Sequence, residues 1–204
     1  MFLTTLVTNP VNFFRYIVII IVSITLHELA HGFAAMSQGD DTPERTGHIT
    51  LNPVVHMGWE SIIFLCVAGM SWGKMPVNPY KFRNGRLSDI WVSAAGPLSN
   101  LALGLIFIIM LSIFYDSALV SKEFLYLAAR INFSLFFFNM LPIPPLDGFS
   151  IFSNIFPELK QLQNTPVAMF GLMIIFLIPG FGTGLIMISD LIIQTLLALI
   201  VVIF

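Results

Sequence analysis

His27, Glu28, Leu29, Ala30 and His31 have the types and spacing for metal chemistry. Histidines four apart on a helix project from one face, so their imidazoles can converge on one zinc ion. The glutamate between them lies beside such an ion rather than on it, where its carboxylate can take a proton from an activated water. On a soluble helix the same five residues could be idle. Here they follow the apolar run 16–26, and three ionisable groups in an apolar membrane helix are costly unless they pair, bind metal or line a wet cavity.

A catalytic zinc usually takes three protein ligands and keeps one open position. His48 and His56 stand in the polar segment 39–58 and read as solvated histidines. Asp147 lies in Pro144, Pro145, Leu146, Asp147, Gly148. The prolines can hold its carboxylate in one direction, yet the same residues describe an ordinary turn aspartate, and spacing leaves both readings open. Asp190 sits in an apolar stretch with Gln194 four residues on, a ready partner on the same helix face.

These residues must be positioned by elements that suit lipid. Of the 204 residues 57% are hydrophobic and 10% charged, against roughly 25% charged in a soluble domain. One membrane domain over 1–204 is the expectation, with a catalytic core over about 11–150 and C-terminal membrane helices over about 165–204. The net charge of -2 indicates neither a nucleic-acid surface nor a sink for acidic substrates. The single cysteine, Cys66, excludes an internal disulfide or a cysteine zinc cluster.

The first span is expected over 11–38 and is read as retained, since no small-residue cleavage site follows its apolar run. Residues 45–51 read as a strand or extended ribbon ending at Asn52 and Pro53. The apolar stretch 59–72 is too short for an ordinary crossing and reads as re-entrant. Spans follow over 90–115, kinked at Gly96 and Pro97, and over 123–141. The tail, 167–204, is one broken span or a hairpin of two. Lys74, Lys81, Arg83 and Arg86 place their segment, and with it the loops 39–58 and 142–165, on the cytoplasmic side.

Together, HELAH in the first span, the ribbon with Leu51, Asn52 and Pro53, the segment from Ala94 to Asn100, and Asn139 to Gly148 resemble the site-2 protease family of membrane metalloproteases. The resemblance covers about residues 20–150 in the family's order. It implies an all-α polytopic membrane protein with a three-helix catalytic core, one zinc ion bound by His27, His31 and Asp147, and Glu28 as the base that activates water. It also implies that Asn139 and Asn100 help to place the substrate, a transmembrane protein in the lipid bilayer. Phe149 stands where the family often has a second glycine, and the chain has no room for a PDZ or CBS domain. The rival functions are a zinc-binding membrane transporter, which leaves Glu28 without a task, and a silent membrane scaffold, which would tolerate loss of a ligand.

Overall fold

The computed structural model describes residues 2–115, 117, 120–162 and 165–203. The chain divides into two compact units, Met1–Gly85 and Arg86–Phe204. Every regular element among the described residues is a helix.

The first unit is organised around α2, Pro10–Ser37, preceded by the short α1, Thr4–Thr8. The Asn9 side chain accepts the Asn12 amide and Pro10 occupies the first helical turn, so the helix begins where its sequence signals it. It ends at Gly39, whose φ of 100° suits glycine and stops the helix. Residues 45–51 do not form the expected strand. Thr42–Arg45 is a single helical turn, α3, Gly47 turns the chain with φ 71°, and 48–52 follow without strand pairing. The Arg45–Asp41 ion pair, one turn apart, favours helix over ribbon locally.

Helix α4, Pro53–Ala68, opens on an Asn52 cap, breaks at Gly58 (φ 71°, ψ 160°) and ends on left-handed Gly69. Sixteen residues rise about 24 Å, short of a roughly 30 Å hydrocarbon core. The chain then doubles back. The Ser61 hydroxyl donates to Trp72 O at 2.6 Å and accepts Trp72 N at 2.8 Å, while Lys74 N donates to His56 O at 2.9 Å. Tyr16 donates to Gly69 O at 3.0 Å near the start of α2, and Asn78 N donates to the Asp40 carboxylate at 2.6 Å beyond its end. Residues 69–78 thus form a strap laid along α2, and the hairpin of α4 and strap leaves and returns at the C-terminal end of α2. That is the path a re-entrant segment takes.

In the second unit α5, Arg86–Ile113, packs on α6, Lys122–Asn139, and α6 on α9, Phe181–Ile203. Gly104 lets the Phe133 ring approach to 3.1 Å of the point a Cβ would occupy, which brings α5 and α6 close. Ile108, Ala129, Phe133 and Ile193 form the core between these helices. Asn100 and Asn132, both fully buried, join α5 to α6 through a 3.1 Å hydrogen bond. The segment expected to be a loop over 142–165 contains α7, Asp147–Ile155, and a 3-10 turn, Pro157–Leu162. In the tail, α8, Pro166–Leu177, has 12 residues and is too short to cross alone, and the chain breaks at Gly180 (φ 85°) before α9.

Among the described residues, α2, α5 and α9 are long and apolar enough to cross a membrane. The chain is a membrane protein. Helix α6 has 18 residues but carries Lys122, Glu123 and Arg130. Arg130 is neutralised by Asp190 of α9, which pairs with it at 2.6 and 2.9 Å rather than with Gln194 as the local spacing suggests.

Candidate metal centre

The HELAH residues lie in the C-terminal half of α2, between its middle and its end. The helical repeat brings the rings of His27 and His31 to an edge-on contact, centroids 4.7 Å apart and planes at 80°. Their Nε2 atoms face each other at 3.0 Å. Two nitrogens bound to one tetrahedral zinc at about 2.0–2.1 Å each stand roughly 3.3 Å apart. The donor pair therefore fits a single ion after only a small adjustment. His27, Glu28 and His31 are each less than a tenth exposed, so an ion held there would sit in the low-dielectric surroundings that strengthen its charge.

The strap roofs this stretch of α2. A Cβ on Gly73 would collide with Glu28 Oε1 and come within 2.8 Å of Glu28 Cγ and Ile24 Cγ2. Met75 and Ile49 come equally close to Gly32, at 2.9 and 3.0 Å from a Cβ placed there. The backbone of residue 73 therefore bounds the space open to the Glu28 carboxylate. Sequence reading missed Gly73; the signal available was a lone glycine in an otherwise bulky Ser-Trp-Gly-Lys-Met run.

The far end of the strap is held by charge outside the spans. Burial by itself would raise the Asp40 carboxyl. The Thr42 hydroxyl, the Asn78 and Thr42 amides and the nearby Lys81 ammonium outweigh it and hold the group below the usual carboxylate range. Asp41 is also lowered, first by its hydrogen bond from Lys81.

Of the histidines expected to be solvated, His48 is half-buried, its Nδ1 2.9 Å from Thr46 Oγ1. His56 is 1% exposed, in the first turn of α4, with Nε2 2.7 Å from Thr50 O. That burial corrects the loop reading: Pro53 starts a helix there and turns the ring inward.

In the second unit Asp147 is the first residue of α7. It follows the run 142–146, which contains a cis Pro144–Pro145 bond, and Leu146 N and Phe149 N close successive turns on Ile143 O and Leu146 O. A Cβ at Gly148 would strike the Met140 backbone and stand 2.5 Å from Leu141 O, so only glycine lets α7 start this close to the end of α6. Asp147 thus stands at a helix start with little freedom. Asn139 donates to Leu135 O in its own helix at 3.1 Å, and Asn100 is engaged with Asn132. Asn132 was not singled out from sequence, although a buried Asn seven residues before Asn139 is a visible signal.

The model of peptidase family M50 matches residues 15–122 and 110–178. A Bacillus subtilis (strain 168) protein named "Putative zinc metalloprotease YwhC" is 38% identical over 179 residues, covering 83% of this chain and 81% of that protein. "Putative zinc metalloprotease Rip2" of Mycolicibacterium smegmatis (strain ATCC 700084 / mc(2)155) is 28% identical, over 82% of this chain and 68% of its own length. "Zinc metalloprotease MJ0392" of Methanocaldococcus jannaschii is 26% identical, over 80% of this chain and 41% of its own length. No solved structure matches significantly.

Proposed function

The chain belongs to peptidase family M50, and from that premise we propose that it hydrolyses peptide bonds of membrane-spanning proteins, with one zinc ion held by His27, His31 and Asp147 and with Glu28 as base. The observation that carries the reading is the buried pair of Nε2 atoms 3.0 Å apart with a buried glutamate between them on the same helix. Asp147 supplies the third donor. What supports it is its place at the rigid start of α7, next to a glycine that tolerates no side chain.

When bound, zinc supplies Lewis acidity, which acidifies water and polarises a carbonyl. Glu28 accepts the proton of the attacking water and returns it to the leaving amine nitrogen. The wall at Gly73 limits the carboxylate to a small space, which keeps it oriented for both transfers. The substrate class follows from the setting: a peptide bond that reaches a centre on a membrane helix belongs to a chain in the same bilayer. The substrate helix must open locally before attack, because its carbonyls are bonded within the helix. The cluster Lys74, Lys81, Arg83 and Arg86 supports a catalytic side towards the cytoplasm. Asn100 and Asn139 are assigned to shaping the substrate path, through the α5–α6 contact and the end of α6 respectively.

The test is metal content together with cleavage of a membrane peptide in purified protein. Glu28→Gln is expected to keep zinc and to lose cleavage by at least about a hundredfold. His27→Ala, His31→Ala and Asp147→Ala are expected to lose zinc as well. Full cleavage by Glu28→Gln would end the assignment of Glu28 as base, whereas zinc flux into liposomes without cleavage by the parent protein would end the protease reading and favour a transporter.

A further inference from the structure

We propose that Asn154 is a positioning residue for the metal centre: by locking α7 to α5 through Asp89, it fixes the direction in which Asp147 is presented. The inference rests on the reading of Asp147 as the third zinc ligand.

Helix α7 has nine residues, too few to be stable without outside contacts. Its first turn is wedged by Gly148 against residues 140 and 141. Its second half needs a fixed point of its own. Asn154 is 5% exposed and sits inside the helix, where asparagine is a poor former. Its amide donates to Asp89 Oδ2 of α5 at 2.6 Å and to Ser150 O at 2.9 Å. Its carbonyl oxygen accepts Lys160 Nζ from the 3-10 turn at 2.9 Å. Three of the four hydrogen bonds an asparagine side chain can make are therefore used, and they join three elements. The bonds to Asp89 and from Lys160 are both charge-assisted, and that to Asp89 is the shorter.

Seven residues separate Asp147 from Asn154, two helical turns, so the two lie on one stripe with Ile151 between them, about 10 Å apart along the axis. Such a short helix moves as a rod. A slip or rotation at residue 154 is carried to residue 147, and a ligand carboxylate tolerates little displacement. The cost should resemble that of losing a partner that orients a ligand, about 10–100-fold in metal affinity.

Zinc affinity, measured by competition with a chromogenic chelator on the full chain in detergent, tests this. Asn154→Ala is expected to weaken zinc binding about tenfold. Asp89→Ala should do the same, and the exchanged pair Asp89→Asn/Asn154→Asp, which restores a donor facing a carboxylate, should recover most of the loss. In an Asp147→Ala background, which loses zinc at stoichiometric metal but whose two histidines are titrated at raised zinc, Asn154→Ala should weaken zinc binding no further, because the residue acts through Asp147. Should Asn154→Ala fail to fold, Asn154→Ser and the exchanged pair carry the same comparison. Unchanged affinity in Asn154→Ala or Asn154→Ser, or an equal loss in the Asp147→Ala background, would overturn the proposal. Unchanged affinity in Asp147→Ala itself would instead remove the ligand assignment on which it rests.

Discussion

Arg130 and Asp190 join α6 to α9, and removing the two partners one at a time should have unequal consequences. The guanidinium donates from Nε at 2.6 Å and from a terminal nitrogen at 2.9 Å to the two carboxylate oxygens, and Tyr126 adds a third donor at 3.0 Å. Asp190→Leu leaves a guanidinium that cannot shed its proton between apolar helices. Stranding one partner of a buried pair costs about 3–5 kcal/mol. The side chains here are 33% and 24% exposed, so the lower end, about 3 kcal/mol, is the better estimate, on the order of a hundredfold in the folded-to-unfolded ratio. Arg130→Leu should cost less, because a stranded carboxylate can take up a proton and become neutral. Arg130→Leu/Asp190→Leu strands neither group and should lie within about 1 kcal/mol of the parent. Unfolding in mixed dodecylmaltoside and dodecylsulfate micelles, followed by circular dichroism, measures all four proteins. If Asp190→Leu were as stable as the double variant, the pair would not be what holds α9 to α6.

Gly73→Val should push the Glu28 carboxylate out of its small space and lower cleavage by about a hundredfold, the cost of a displacement near 1 Å, while zinc content stays near stoichiometric; normal turnover would show that the strap yields at no cost. Asp40→Asn should flatten the acid limb of stability. The Asp40 carboxyl is depressed in the folded protein, so its contribution is complete above the unfolded value of roughly 3.9 and is lost as pH falls below it. Thermal midpoints between about pH 2 and 5 should therefore fall less steeply with acid in the variant, and parallel profiles would refute the anchor.

The approach of His27 to His31, the first long helix and the membrane setting were legible in the residues themselves, because each depends on a repeat or on hydropathy within one segment. About 3.6 residues per turn bring His27 and His31 together whatever surrounds them, and a long run of apolar residues favours lipid in any fold. The short stretch before Trp72 was set apart from the long spans by its length alone. Other features depended on partners far along the chain. Residues 45–51 have a strand-like composition, but a strand needs a neighbour to pair with, and the local Asp41–Arg45 pair and Gly47 made a turn instead. Gln194 was the nearest polar neighbour of Asp190 by helical spacing; the charge of Arg130, 60 residues away, was the stronger attraction. His56 looked exposed because the segment 39–58 is polar as a whole, although Val54, Val55 and Met57 flank it, and the packing of α4 and the strap buries it. Glycine has no side chain to signal its purpose, so the roles of Gly73 beside Glu28 and of Gly148 beneath Asp147 emerged only once backbones met in space. Local periodicity sets the two histidines and the glutamate on one helix, whereas the contacts that confine them are made between segments, where sequence spacing carries no distance.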